Sequence, residues 1–492
     1  MTDLVALAEI PQVTGLDHTD QNTLDRLVRQ FRAKWPRNQL RARYYDHKNV
    51  LKDFGISIPP QLKDVETVVG WPEKAVDALA RRIRHDGFVL PGGDADSLGI
   101  TDMWTANRMN VDAPQAHTSA LIHSCAFIAT TLGDVRSGEP EVLMTARSAL
   151  SGTGIWDPRR RQLSAALSIV AYDEAWPHDH RITELVMYLP DRVVIMNRNS
   201  TGKWAIDVRK HTLGRVPVEL LPFRPRLDRS FGASRISRAV MSITDEAVRT
   251  VLRTEVSAEF YSSPQRYMLG ADPDAFVDAK GRVRTGWEAI LGHMLAIGRD
   301  QDGNVPEVGQ FPQMTMQPHL EHMRSVATRF SGATNLPVGA LGVVQDNPSS
   351  AEAIYAAKEE LVTEAEYACD VFGMGWTNAM RTALLLREKR TQMPPEWNRL
   401  RVNWRDPATP SRSSAADAVQ KTVTAFPWLA ESRVALEQLG WDETTIERAL
   451  ADKRRSAVSA LTQRLTTTLP PTVATAAPGD EQPVDAEAQA QP

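Results

Sequence analysis

The sequence predicts an α+β fold in which antiparallel hairpins lie between helical blocks. Apolar residues recur at helical spacing over three long stretches, 19–47, 234–261 and 351–389. Between 125 and 223 the period shortens, and brief apolar runs alternate with turn residues. A stretch rich in turn formers, 263–316, then separates two helices.

The N-terminal part of the chain is predicted to be helical. The first helix covers residues 19–47, and Pro72 fits the first turn of a second helix. Gly87 lies just past the predicted end of that second helix, where glycine is common. A third helical region is expected over 114–124.

The middle of the chain is predicted to form antiparallel hairpins. Dipeptides such as Asp157-Pro158 and Pro190-Asp191 mark its turns. The expected strands are 142–146, 163–171, 182–189, 193–196 and 204–208.

A second group of helices follows the hairpins. The helix at 234–261 should be roughly 40 Å long at 1.5 Å per residue. Opposite its apolar face stand Arg238, Asp245, Glu246, Arg253, Glu255 and Glu259. A helix at 318–330, a Gly/Pro/Asn-rich interruption at 335–348 and the long helix at 351–389 come next.

The C-terminal part is predicted to be a smaller helical block followed by a disordered tail. Helices are expected at 414–426 and 442–465. From residue 466 the chain carries acidic residues, alanines and prolines but no basic residue, a composition typical of disorder.

Composition excludes several classes of protein. The chain has 492 residues, 42% of them hydrophobic and 24% charged, which is enough for two to four globular domains. The formal net charge of −4 argues against tight binding of nucleic acid through many neutralised phosphates. No run of about 18 apolar residues predicts a membrane span. Two cysteines favour a reducing compartment.

The sequence carries no complete catalytic or metal-binding motif. Gly202-Lys203 lacks the spacing of a P-loop. His178-Asp179-His180 reads as a polar hairpin tip, and His319 with His322 lacks a third ligand. Asp300, Asp302 and Asn304 have the wrong register for a calcium loop. Cys125 and Cys369 are expected to be buried apolar side chains.

A family resemblance is carried by short segments spread along the chain. They are Tyr44-Tyr45-Asp46, Val68-Val69-Gly70-Trp71-Pro72, Pro222-Phe223-Arg224-Pro225-Arg226, Gly232-Ala233-Ser234-Arg235-Ile236, Ser263-Pro264-Gln265-Arg266, Thr334-Asn335-Leu336-Pro337 and Asn347-Pro348-Ser349-Ser350-Ala351-Glu352-Ala353-Ile354. In this order and spacing, residues 20–460 resemble a portal protein of long-tailed double-stranded-DNA bacteriophages, of the type common in actinobacterial phages.

The resemblance implies a portal-type elongated subunit that forms a ring, usually of twelve copies, at one capsid vertex. It implies a hairpin-rich wing, a helical stem and crown, and a small mixed α/β clip. The implied parts are the wing 1–232, the first stem helix 233–262, the clip 263–316, the second stem helix 317–334, the tunnel loop 335–350, the long supporting helix 351–392, the crown 393–465 and the tail 466–492.

The resemblance also implies a function without chemistry of its own. The ring would conduct double-stranded DNA non-specifically during packaging and ejection, with no cofactor, metal or membrane. Its partners would be the terminase large subunit, the major capsid and scaffold proteins and the head–tail connector. The subunits would assemble in the host cytoplasm and remain in the virion.

Two sets of residues are expected to line the channel. The tunnel-loop set is Val338, Gly339, Leu341, Gly342, Val343, Gln345 and Asn347. The stem set is Asp245, Glu246, Glu255 and Glu259. The alternative for the stem set is an outward, solvated face.

Two other functions stay open at this point. The chain could be another structural protein of the virion, from a tail or baseplate. The less favoured alternative is an enzyme of the packaging apparatus, against which the missing P-loop and nucleophile motifs count.

Overall fold

The computed structural model divides the chain into two compact units, Met1–Thr409 and Pro410–Pro492. It describes residues 11, 13–49, 67–92, 95–173, 182–199, 201–261, 266–270, 303, 305, 307–310, 315–343, 351–408 and 412–468.

The helices of the first unit are longer than most of its strands. Those that the structure describes are α1 (His18–Tyr45), α2 (Trp71–Ala80), α3 (Ile100–Ala106), α4 (Met109–His123), α5 (Arg238–Tyr261), α6 (Gln317–Thr334) and α7 (Ala351–Arg387). The helices of the second unit are α8 (Arg412–Ala425), α9 (Arg433–Gln438) and α10 (Glu443–Thr468).

The described strands form four antiparallel sheets. In chain order they are β1 (His85–Val89), β2 (Cys125–Leu132), β3 (Val142–Ser148), β4 (Gly152–Asp157), β5 (Gln162–Tyr172), β6 (Ile182–Tyr188), β7 (Arg192–Arg198), β8 (Trp204–Lys210), β9 (Val218–Pro222), β10 (Arg266–Leu269), β11 (Glu307–Gln310) and β12 (Arg401–Trp404). The sheet orders are β4-β5-β6-β7-β8, β3-β2-β9, β1-β12 and β10-β11.

The hairpin region is built in layers. Helix α1 packs Leu24, Leu27 and Phe31 against one face of the five-stranded sheet. The other face of that sheet packs on β2 and β9 of the three-stranded sheet through residues such as Phe127 and Leu220. Helices α4 and α7 cover the far side of the three-stranded sheet. Strand β2 is therefore buried on both of its faces.

The predicted α+β class is confirmed, and most long helices and hairpins lie where expected. The boundaries differ in several places. Gly87 lies inside β1 with a φ of 113°, next to a register shift, and does not cap α2. Helix α4 begins at Met109, before the predicted start. The strands that were not predicted are β1, β2, β4, β9, β10, β11 and β12.

The helix predicted at 234–261 begins at Arg238, four residues after its predicted start (238 minus 234). The Ser237 hydroxyl accepts a bond of 3.2 Å from the Val240 amide, as an N-cap side chain does. Ser234 instead donates its hydroxyl to the Ile122 carbonyl, 2.5 Å away. These bonds hold the residues before α5 in a non-helical connection.

Helices α5 and α6, which correspond to the two predicted stem helices, pack against each other, and we refer to this pair as the stem. Val240, Ile243 and Ala247 of α5 share a buried cluster with Val326 and Phe330 of α6. Strands β10 and β11, which follow α5 and precede α6, pair in antiparallel register from Arg266 opposite Gln310. At 24 residues, α5 spans about 36 Å.

The second unit is a small helical assembly. Ser432 caps α9 by accepting a bond of 3.2 Å from the Val434 amide. Arg433 pairs with Glu447 of α10 at 2.6 Å. No helix within the described ranges has the length and apolarity needed to cross a membrane.

Candidate functional site

The predicted stem carboxylate Asp245 is bonded within the subunit. Both of its carboxylate oxygens accept from the Tyr44 hydroxyl at 2.9 Å, at the end of α1. Burial, and then this bond to a carboxylate, raises the pKa of Tyr44 above its ordinary value. Asp245 therefore ties the stem to α1.

The neighbouring carboxylate, Glu246, joins the two stem helices. Arg329 of α6 lies 2.8 Å from each of its carboxylate oxygens, and the His322 ring lies 3.9 Å from one of them. The Glu246 side chain is 24% exposed and the Arg329 side chain 55% exposed. Water screens such a pair, so its main effect is to neutralise charge where the helices meet.

Glu255 is the described member of the stem set whose side chain is exposed. It accepts a weak bond of 3.4 Å from the Thr67 hydroxyl. The side chain of Glu259 lies outside the described residues. Exposed positions of α5 are Arg238, Ala239, Ser242, Arg253, Glu255 and Ala258. The open side of the stem therefore carries both signs of charge.

The first residues of the predicted tunnel loop are anchored in the core. Leu336 is 2% exposed, and Leu341 is 9% exposed at the end of a short 3-10 turn, Val338–Leu341. Val338 and Val343 are partly buried against the same cluster. These four side chains fix the base of the segment that follows α6.

The tip of this turn presents small, uncharged residues. Gly339, Ala340 and Gly342 are exposed, and a Cβ added to either glycine would meet no atom within 4 Å. Gly342 has a φ of 83°, a conformation that glycine adopts without strain. Gln345 and Asn347 of the predicted set lie outside the described residues.

A buried arginine, Arg235, connects four elements at the base of the stem. From its place just before α5, its Nε donates to the Ala75 carbonyl of α2, and one Nη donates to the Thr334 carbonyl at the end of α6, each at 2.6 Å. Its other Nη lies 2.5 Å from a carboxylate oxygen of Glu364 in α7. Burial lowers the pKa of Arg235, whereas Glu364 opposes that shift.

The role of Arg235 is not apparent from the sequence alone. The available signal was a single charged side chain among the small and apolar residues of Gly232–Ile236. An arginine in such a setting needs partners because an unpaired buried charge is costly. Its partners Ala75, Thr334 and Glu364 lie 160, 99 and 129 positions away along the chain (for Glu364, 364 minus 235). Local sequence patterns could not identify them.

Comparison with known proteins identifies the family. The model of the family "Phage portal protein, SPP1 Gp6-like" matches residues 24–458. The portal protein of Mycobacterium phage L5 is 31% identical over 392 residues, which cover 77% of each chain. The portal protein of Mycobacterium phage D29 is 30% identical over 402 residues, or 81% of each chain.

Solved structures give weaker likenesses. A chain from the virion of a native gene transfer agent particle has a TM-score of 0.40 at 12% identity, covering 75% of this chain and 89% of that chain. A chain from the neck of the same kind of particle, computed with C12 symmetry, has a TM-score of 0.38 at 12% identity, with the same coverage. The family match and the two phage relatives show that this chain belongs to the phage portal protein family, whose members are structural, non-enzymatic proteins of the virion's capsid vertex.

Proposed function

We propose that twelve copies of this chain form a ring through which double-stranded DNA passes during genome packaging and ejection. The observation that carries the proposal is the portal family match over residues 24–458. The arrangement of α5, the β10–β11 pair and α6, followed by a short anchored turn, supports the assignment of stem, clip and tunnel loop.

The charges of the stem support passage without strong binding. Counterion release makes a protein bind DNA more tightly with each phosphate that a cation neutralises. Arg329 already faces Glu246 within the subunit, and the exposed side of α5 mixes Arg253 with Glu255. A surface of this kind offers few unpaired cations to a passing phosphate chain.

The turn after α6 supports a contact that slides along DNA. Its exposed tip, Gly339–Ala340 and Gly342, has neither charge nor bulk, while Leu336 and Leu341 anchor its base. Small residues let a surface approach DNA closely without neutralising phosphates. We assign this tip to the wall of the channel.

The remaining partners follow from the proposed parts. We propose that the clip binds the terminase large subunit during packaging and a head–tail connector afterwards. The wing and crown would contact the capsid and scaffold proteins. The ring would assemble in the host cytoplasm and stay in the virion.

The ring is tested by the mass and symmetry of the purified protein. Native mass spectrometry and negative-stain images should show a closed ring of twelve copies with a central hole. A stable monomer, an open fibre or a sheet at all protein concentrations would overturn the proposal.

The tunnel-loop assignment is tested by Ala340→Lys with Ala340→Ser as its control. Ala340 is exposed, so both variants should fold and form rings. The lysine adds one cation per copy at the proposed channel wall, and we expect packaging to slow by at least tenfold at low salt and to recover partly as salt rises. The serine variant should package normally. Equal packaging by both variants would contradict the assignment.

A further inference from the structure

A cavity of about 350 Å³ lies between helix α1, the start of β2 and the connection that leads toward the stem. Helix α1 contributes Lys34 and Arg37, and the connection contributes Arg229. Arg41 follows Arg37 by one helical turn and is 8% exposed. Arg41 is not one of the lining residues. Three positive side chains from two distant parts of the chain therefore line what we name the cationic cavity.

Within the described part of the chain, neither the three lining cations nor Arg41 has a carboxylate within 4 Å. The acid nearest in sequence, Asp228, also lines the cavity but pairs with Arg226 at 3.0 Å. The Arg37 guanidinium donates to the Asn38 side-chain oxygen at 3.2 Å. One Nη of Arg41 donates to the His123 carbonyl at 3.2 Å. Both acceptors are neutral.

The other titratable groups beside the cavity do not supply a negative charge. Burial raises the pKa of the Cys125 thiol to about 12, so it is neutral at physiological pH. Burial also lowers the pKa of Arg41 to about 10, and repulsion from Arg37 and Arg229 adds to that shift. Arg41, Arg37 and Arg229 therefore repel one another, and Arg41 is also removed from water.

Isolated surface arginines are ordinary, because water solvates them. Arg41 differs because it is buried beside two other cations, and such clusters are costly unless an anion balances them. Guanidinium groups recognise tetrahedral oxyanions through paired hydrogen bonds, and a cavity of this size has room for a phosphate group with its water.

We propose that the cationic cavity binds a phosphate-class oxyanion. A bound oxyanion would bridge Arg37 of α1 and Arg229 of the connection, and would thereby fasten the layered hairpin region to the segment that leads into α5. The proposal does not depend on the conduit function, because it rests on charge and geometry within one copy of the chain.

The test measures binding of inorganic phosphate to the full-length protein by calorimetry and by thermal unfolding. Arg37→Gln and Arg229→Gln each remove one of the three lining cations. Arg37 is half-buried and Arg229 is exposed, so both variants should fold. Arg29→Gln, an exposed position on the same helix, is the matched control.

Phosphate should raise the melting temperature of the wild-type protein and of Arg29→Gln in a saturable manner. Its affinity should fall at least tenfold in Arg37→Gln and in Arg229→Gln. Sodium chloride at the same ionic strength should not reproduce the effect. An equal shift with chloride, or wild-type affinity in both cavity variants, overturns the proposal.

A second arm identifies the source of the phosphate group. A short DNA duplex is added to the phosphate complex, and displacement of the bound phosphate is measured. Displacement from the wild-type protein and equally from Arg29→Gln assigns the cavity to backbone phosphates of nucleic acid. Retention of phosphate in the presence of duplex assigns it to a free phosphate or phosphate ester. Failure of both arms leaves the ring proposal intact, because ring symmetry is measured separately.

Discussion

Glu364→Gln tests whether the stem base depends on its buried ion pair. The side chains of Arg235 and Glu364 are 3% and 10% exposed. Removing one partner of a buried pair leaves an uncompensated charge, which costs about 3–5 kcal/mol. Arg235 keeps its bonds to two carbonyls, and glutamine can still accept one bond. We therefore expect the lower end of that range, about 3 kcal/mol.

The expected shift in melting temperature follows from the size of the first unit. The entropy of unfolding is about 2.1 cal/mol/K per residue, or about 0.8 kcal/mol/K for a unit of about 400 residues. A loss of about 3 kcal/mol then lowers the melting temperature by about 4 °C. Differential scanning calorimetry of the full-length protein at pH 7.5 measures this shift directly.

Glu366→Gln is the matched control for this change. Glu366 lies two positions further along α7 and is exposed, so its substitution should change stability by no more than about 0.5 kcal/mol, or less than 1 °C. If Glu364→Gln melts within 1 °C of that control, the buried pair does not stabilise the stem base and the argument fails.

Three further predictions concern pH, close packing and stem charge. Burial lowers the pKa values of His85, His117 and His123 to about 3, 3 and 4. Below about pH 6.5 the unfolded chain takes up protons at these histidines before the folded chain does, so stability should fall as pH drops, and this loss should outweigh the opposite effect of Glu219, whose pKa burial raises to about 7. A melting temperature that stays constant from pH 7 to 4.5 would contradict this prediction. A Cβ at Gly232 would lie 2.2 Å from a backbone oxygen, whereas a Cβ at Gly214, which has a similar positive φ, would meet no atom within 4 Å. Gly232→Ala should therefore destabilise the protein by about 3 kcal/mol more than Gly214→Ala, and equal urea midpoints for the two variants would refute this. Glu246→Gln should lower the free energy of unfolding by less than about 1 kcal/mol, but it should leave Arg329 without its carboxylate partner. Rings of this variant should therefore bind DNA with a steeper dependence of affinity on salt concentration, and an unchanged dependence in filter-binding assays would count against the prediction.

Local sequence patterns were sufficient for elements whose stability comes from their own periodicity. Helices α1, α5 and α7 carry apolar residues at helical spacing over many turns, and the hairpins from β5 to β8 have clear turn residues between them. Strand β2 was missed because it is buried on both faces and shows no alternation. Strand β1 pairs with β12 more than 300 residues away, beyond the reach of any local signal.

The candidate site residues also divide into features that local sequence patterns predict and contacts that only the fold creates. Sequence reasoning placed the stem carboxylates on the helix face opposite the apolar one, and the segment after α6 in a glycine-rich turn. It did not anticipate that Tyr44 would bond Asp245 or that Leu341 would be buried. Both depend on contacts between residues that are distant along the chain, which propensity and period do not encode.

The internal bonds of the stem carboxylates change the electrostatic argument for a conduit. An acidic lumen would repel DNA along its whole length, whereas a lumen rich in free cations would hold it. In the stem described here, Glu246 faces Arg329 and Asp245 accepts from a neutral phenol, while Arg253 and Glu255 are exposed two positions apart. If this surface borders the channel, a weak interaction with DNA arises from local neutralisation within each copy. It then requires no excess of acidic residues over the whole chain, and a net charge of only −4 is sufficient.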